Sequence, residues 1–264
     1  MTHTDDSPSD PAFRDVDASD AGELVAMMDA TDAWPAVRAA REWISGLVGG
    51  AVRCSVDVGS GPGSFNAGVS AALTVDVDRS VTMTRAARAR HRRTIPLLGD
   101  AQHLALCDGA ADLVHAERVL QWLDRPEAAL AELARVTAVG GWLAVTDTDW
   151  STFRVDSPEA THWTDAALAW VPHATFAASL PARLAWLGLG DVQHRHDRVV
   201  LTRWDPDDPL QHDGPPGLPL RSIAAAAPDG GRGLLADLNR LRSAARTGAF
   251  RAELTLVTAI TRRG

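Results

Sequence analysis

The 264 residues contain no tyrosine and only two cysteines, Cys54 and Cys107. Two such thiols make neither a disulfide framework nor a metal-ligand pattern, so a reducing cytoplasm is the expected compartment. No stretch approaches the ~20 uninterrupted apolar residues that a membrane span requires, and no membrane partner is expected. The N-terminus, MTHTDDSPSDPAFRDVDASD, lacks the basic and apolar character of a targeting signal. Its Asp, Ser and Pro bury too little surface to offset ordering entropy, so residues 1–19 read as a disordered acidic arm. Positive charge is also in deficit: the formal net charge of −8 repels phosphates and speaks against a nucleic-acid partner. The one basic stretch, Arg79, Arg85, Arg88, Arg90, His91, Arg92 and Arg93, reads as a solvated helix face. His194 and His196 share one side of a strand but have no third ligand nearby in sequence, so no metal is expected.

What is present is an apolar fraction of 45%, enough for one sizeable core, and nine tryptophans. Most of those rings belong to a core, while some can line a pocket for a flat apolar ligand. Asp20 with Glu23 resembles a helix capping box, ahead of a helix through Leu24, Met27 and Met28. A second helix starts at Pro35, carries Val37, Ala40, Ile44 and Leu47 at helical spacing, and ends at Gly49-Gly50.

A regular alternation follows. Strands are expected at Val52–Val58, Thr74–Val77, Thr94–Leu98, Asp112–Ala116 and Trp142–Thr146, the last after a turn at Gly140-Gly141. Helices are expected at Ser64–Leu73, at Ser80–Arg92 with Ser80 as its cap, and at Pro126–Thr137. Further on, Ala177–Leu187 reads as a helix, Val192–Thr202 as a strand and 205–231 as a Pro/Gly-rich loop. Residues 232–247 read as a helix, and Phe250–Thr261 as an antiparallel edge strand. Such alternation builds an α/β fold, a mostly parallel sheet with helices on both faces. The domain reading is a helical cap at 20–50, a Rossmann-like core at 51–204, a lid or insertion at 205–249, and a final core strand at 250–264.

The most informative stretch is Val56-Asp57-Val58-Gly59-Ser60-Gly61-Pro62-Gly63, a strand running into a glycine turn. Glycine lets backbone approach a ligand closely, and open α/β sheets bind ligands at the carboxyl ends of their strands. Dinucleotide-binding folds use such a turn too. Against a nicotinamide-dependent oxidoreductase stand Ser64 where that pattern needs Gly or Ala, the acidic Asp57, and Pro62, which has no N–H. Asp78, at the tip of the second strand, can accept from both hydroxyls of a ribose; capping the Ser80 helix is its other reading.

VDVGSGPG, TVDVDRSVTM and GDAQHLALCDGAADLVHAERVLQWLDRPEAALAELARVTAVGGWLAVTD follow one another in that order. Together they resemble the successive motifs of class I S-adenosylmethionine-dependent methyltransferases, among them the ubiquinone/menaquinone methyltransferase-like group. The resemblance runs over residues 34–204; AFRAELTLVTAITRR and DTDWSTFRVD resemble bacterial members acting on quinones or natural products. It implies a seven-stranded sheet with the last strand antiparallel, and S-adenosyl-L-methionine as cofactor, with S-adenosyl-L-homocysteine as product. It implies that Gly59, Ser60, Gly61 and Gly63 form the cofactor turn and that Asp78 binds the ribose. Arg79 and Met83 would sit beside the adenine, Asp100 and Ala101 would bind its edge, and Glu117 and Arg118 would border the sulfonium and the acceptor. Trp122 stands where relatives often have histidine.

The groups expected to serve chemistry are Asp149 and His173 as acid/base or orienting residues, with Arg118; His162 is a further polar group. Trp34, Trp122 and Trp150 form an aromatic wall around the acceptor or pack the cap against the sheet. His115 reads as a hydrogen-bonded core residue. The expected reaction is methylation of a hydrophobic, aromatic small molecule, on carbon or nitrogen as in an indole. A quinone or phenol methyltransferase and a non-catalytic cofactor-binding protein are the alternatives. The expected partner is a small-molecule acceptor, and the expected assembly a monomer or homodimer.

Overall fold

The structure is a computed structural model that describes residues 16–18, 21–50, 52–228 and 230–264. The rest of the expected arm, and Asp20 of the expected capping box, lie outside the described residues. Within the arm, Val16–Ala18 is one 3-10 turn. Its Asp17 carboxylate accepts from Ser80 Oγ at 2.7 Å, Thr82 N at 3.0 Å and Val81 N at 3.1 Å. The Ser80 hydroxyl and the Thr82 and Val81 amides hold this carboxyl at about 2.

Two helices lead, α1 (Ala21–Asp32) and α2 (Pro35–Val48). The α/β alternation then runs β1 (Val52–Val58), α3 (Ser64–Ala67), β2 (Ala71–Asp78), α4 (Val81–Arg90), β3 (Thr94–Leu98) and β4 (Ala111–Glu117). After it come α5 (Pro126–Val136), β5 (Thr137–Val155), α6 (Ala160–Trp170), α7 (Leu180–Trp186) and β6 (Val192–Leu201). The chain closes with α8 (Leu220–Ala225), α9 (Arg232–Arg246) and β7 (Ala252–Arg262). The seven strands form one sheet in the order β3-β2-β1-β4-β5-β7-β6. β1 to β5 pair parallel, and β7 pairs antiparallel with both β5 and β6.

Several elements differ from the sequence expectation. α3 stops at Ala67 instead of running to Leu73, because Gly68 caps it and β2 starts at Ala71, in register with Val52. Gly140-Gly141 is no separate turn: both lie inside β5, where the β4–β5 register shifts. β5 also runs on to Val155, since its second half pairs with β7 across a shift between Asp149 and Arg154. β7 is not at the edge; β6 is, with β7 inserted beside β5. α6 has no counterpart in the expected elements, and the expected 205–231 loop contains α8 and a 3-10 turn at Pro209–Gln211.

One sheet face is packed by Leu130 and Leu133 of α5 and Leu180 and Leu184 of α7 against Val56, Val114, Leu143 and Val145. The other is covered by Ile44 of α2 and Phe65 of α3 over Leu113, Ala144 and Ile260. A separate core joins α6, α8 and α9 to the outer half of β5 and is rich in tryptophan. β1 has β2 on one side and β4 on the other, so the chain reverses its direction of propagation there. A crevice opens at that switch point, above the carboxyl ends of the strands.

Arg263, just after β7, donates from one guanidinium nitrogen to Thr137 O at 2.6 Å, Arg135 O at 3.0 Å and Ala134 O at 3.1 Å. It satisfies carbonyls at the end of α5 that the helix itself leaves open. Arg263→Ala is expected to lower stability by about 1–2 kcal/mol. The measurement is a urea midpoint that falls while the slope stays constant.

Candidate active site

The turn after β1 is held by backbone. Gly59 N and Ser60 N both donate to Val77 O, at 2.7 and 3.1 Å, and Gly63 N donates to Ser60 O at 2.9 Å. Gly59 has φ +69, and a Cβ there would stand 2.3 Å from Val119 Cγ2, so only glycine fits. Asp78 braces the turn from the end of β2: its carboxylate accepts from Gly61 N at 2.8 Å and from Ser80 N at 2.9 Å. Burial pushes the Asp78 carboxyl up, against the pull of those two amides.

Two cavities meet over this turn. The smaller, about 650 Å³ with its mouth, is lined by Asp78, Arg79, Met83, Asp100 and Ala101, with Gly59 and Arg118. The larger, about 860 Å³ with its mouth, is lined by Ser60, Gly61, Glu117, Arg118 and the rings of Trp34, Trp122, Trp150 and Trp170. Gly59, Met28, Arg118 and Trp122 border both. Gly63 borders neither; a Cβ there would meet Asp76 Oδ2 at 2.7 Å, so it serves close packing beneath the turn.

Charge is concentrated in the floor of the larger cavity. Arg41, from α2, donates to both oxygens of Glu117 at 2.9 and 2.8 Å and to Asp32 at 2.7 Å. Arg118 donates to Asp32 at 3.0 Å and Glu117 at 3.1 Å, and Asp32 also accepts from Ser64 Oγ. The Glu117 side chain is only 6% exposed; burial opposes its charge, but Arg41 and Arg118 hold its carboxyl at about 2. Arg118 has φ +57, in the left-handed region. That conformation is uncommon for a side-chain-bearing residue and is kept here by the surrounding pairs.

Beneath the turn, one face of the sheet carries a polar row: Asp76, Asp57 and His115 are register neighbours on β2, β1 and β4. Asp57 Oδ1 and His115 Nδ1 are 2.7 Å apart, and the His115 ring stacks on Phe65 with centroids 3.5 Å apart. Asn66 donates to Asp76 Oδ1 at 2.7 Å and accepts from Ser55 Oγ. Burial, reinforced by the charge of Asp57, pushes the Asp76 carboxyl up to about 7.

The tryptophans form a box. Trp170 meets Trp122 edge-on at 5.0 Å and Trp150 at 5.5 Å. Trp150 Nε1 donates to Gln121 Oε1 at 2.7 Å, and Trp34 Nε1 to Pro216 O at 3.1 Å. Gln121 is itself placed by Asp147, which accepts from Gln121 N at 3.0 Å; burial pushes that carboxyl up to about 7.

Two residues expected to serve chemistry lie away from both cavities. The Asp149 carboxylate accepts from Ser151 N and Ser151 Oγ at 3.1 and 2.6 Å, where it shapes the irregularity in β5. His173 sits in a separate surface depression with Phe176 and Arg183. His162 is exposed beside Glu159, and no histidine lines either cavity among the described residues. His115 is fully buried, as a core residue. His194 and His196 lie on β6 with ring centroids 5.8 Å apart. No cluster of three His, Cys, Asp or Glu suited to a metal occurs among the described residues. No helix among them is long and apolar enough to cross a membrane.

Sequence reasoning missed Asp32, Arg41, Gln121 and Trp170. For Arg41 a signal was available. It lies on the same face of α2 as Val37 and Ile44, and a charge on an apolar stripe asks for a buried partner.

This strand order, with its antiparallel insertion and a two-part cavity over the glycine turn, is the architecture of class I S-adenosylmethionine-dependent methyltransferases. Residues 56–145 match the family described as a methyltransferase domain. The chain is 38% identical over 99 residues to trans-aconitate 2-methyltransferase of Methylobacterium radiotolerans, an alignment covering 36% of this chain and 38% of that one. It is 40% identical over 97 residues to malonyl-[acyl-carrier protein] O-methyltransferase of Geobacter sulfurreducens, covering 34% of this chain and 36% of that one. These alignments thus span little more than a third of either relative. Among solved structures, the YcgJ protein of Bacillus subtilis superposes with a TM-score of 0.58 at 15% identity, over 86% of this chain and all of the other. Residues 56–145 thus match a methyltransferase domain and the fold is of the class I kind, a class whose methyl donor is S-adenosyl-L-methionine and whose product is S-adenosyl-L-homocysteine. The lining fits that donor: Ser60 Oγ and Arg118 Nε are buried with no protein partner, and both residues border the larger cavity.

Two substitutions probe the electrostatics. Because Asp76 titrates above its ordinary value, the folded chain keeps a proton that the unfolded chain has lost between pH 3.8 and about 7. Stability therefore falls as pH rises through that window. In Asp76→Asn the loss of stability between pH 5 and pH 8 is expected to be smaller than in the wild type by roughly 1–3 kcal/mol, read from urea melts at each pH. Arg41→Met leaves Glu117 buried with half its compensation and is expected to cost about 3 kcal/mol. Thermal unfolding at neutral pH measures it.

Proposed function

We propose that this chain transfers a methyl group from S-adenosyl-L-methionine to a flat, hydrophobic small molecule, on a carbon or nitrogen that is nucleophilic while neutral, as in an indole. The observation that carries this reading is the box of Trp34, Trp122, Trp150 and Trp170 beside the cofactor turn. The donor supplies a carbon already activated by a positively charged sulfur. The chain's residues then have to bind, align and exclude water. Asp78 holds the ribose hydroxyls, Asp100 and Ala101 the adenine edge, and Ser60 and Gly61 the amino-acid end. The tryptophan faces favour a neighbouring cation and keep water from the reacting atoms.

The absence of any histidine from the described lining favours an acceptor that reacts without first losing a proton. The relatives named above act on trans-aconitate and on a malonyl-carrier protein, both anionic. Here both arginines of the cavity floor are already engaged by Asp32 and Glu117, which favours an uncharged acceptor.

Calorimetry tests the donor half. The wild type is expected to bind S-adenosylmethionine and S-adenosylhomocysteine, and not NAD or NADP. Asp78→Ala and Gly59→Val are expected to weaken that binding at least tenfold, about 1.4 kcal/mol or more. Wild-type affinity in both variants means the site is misplaced. The acceptor half is tested by transfer of labelled methyl to indoles, phenols, quinones and dicarboxylates. Label found only in carboxylate esters overturns the reading.

A further inference from the structure

A third cavity opens on the acceptor side. It is larger than the tryptophan box, about 1340 Å³ with its mouth, and Met27, Trp170, Gly217 and Pro219 line both, so the two chambers meet there. One wall is α1, where Ala26 and Ala30, one helical turn apart, leave the space unfilled. The opposite wall is the segment from Asp208 to Pro219, whose Pro209, Pro215, Pro216 and Pro219 offer no N–H donors. Among the described residues no Lys or Arg lines this chamber; its titratable groups are Glu23, Asp208, Asp213 and His212. The chamber thus continues from the tryptophan box and opens to solvent, and three of its four titratable side chains are carboxylates, which disfavours an anion.

We propose that the acceptor has two parts, an aromatic head seated among the tryptophans and an elongated, uncharged apolar chain lying between α1 and residues 208–219. The assignment of the head rests on the function proposed above. The chain's site is new and stands on the shared walls, the two small alanines and the absence of Lys and Arg from the described lining. Trp170 separates the two regions and touches both parts of such a molecule.

The test is calorimetric binding of indoles bearing methyl, butyl or octyl chains to the full-length protein saturated with S-adenosylhomocysteine. Affinity is expected to rise up to about fourfold per added methylene, the gain for burying one CH₂. Ala26→Trp, at an exposed position, and Ala30→Trp, half-buried, reduce the chamber from positions that do not line the tryptophan box. Each is expected to flatten the chain-length dependence while leaving the affinity for methylindole unchanged; retained S-adenosylhomocysteine binding shows that the variant is folded. An unchanged slope in both variants, or no slope in the wild type, overturns the proposal. So does equal affinity for an indole whose octyl chain ends in a carboxylate. If no indole binds although S-adenosylhomocysteine does, the aromatic head is wrong, and octan-1-ol decides the chamber by itself. Octanol binding that is lost in the filled variants upholds the chamber, and absent or unaltered octanol binding overturns it.

Discussion

Two arginines and two carboxylates meet at the carboxyl end of β4, and the cap owes its position to them. Asp32 ends α1, Arg41 comes from the middle of α2, and Glu117 and Arg118 end β4. Removing such charges from water costs nearly as much as their attraction returns, so a network of this kind adds little net stability. Its contribution is directional: Arg41 has to bridge Asp32 and Glu117 at once, and that fixes both cap helices over the glycine turn. α1 then delivers Met27 and Met28 to the cavity, and Trp34 enters from the junction of the two helices. Arg118 takes a left-handed backbone conformation in the same network and borders both cavities over the glycine turn.

A parallel sheet covered on both faces is ordinarily apolar through and through. Here one rung is polar, Asp76, Asp57 and His115, directly under the glycine turn. Asp57 was conspicuous in the sequence for this reason, as an acid two residues ahead of the first glycine. Its partner was not, because His115 lies 58 residues further along and meets it only through the β1–β4 register. The same physics separates what could be read from what could not. Strands and turns are written in neighbouring residues, so β1 and β3 appear with their observed limits. Gly68 and the early start of β2 cut α3 short by pairing, which no local pattern reports. Gln121 owes its place to Asp147, and Trp170 to a helix packed on the far half of β5, contacts that only the folded chain creates.

Whether the tryptophans belong to the core or to the acceptor wall turns out to be no choice. Trp34, Trp122, Trp150 and Trp170 are each nearly buried, belong to the same apolar cluster as α6, α8 and α9, and still face the larger cavity. Each ring packs the molecule and also borders the larger cavity. The segment expected to act as a lid is therefore continuous with the core, since Leu218, Leu220 and Ile223 are fully buried against the same rings. A change of acceptor made by trimming a tryptophan removes core packing as well, at a cost of about 3–5 kcal/mol for a ring reduced to alanine. The second chamber shares that coupling only in part. Trp170 and Leu218 belong to the tryptophan core, but Ala26, Ala30 and the prolines of its loop wall do not, so substitutions at those positions change the chamber with less cost to the fold.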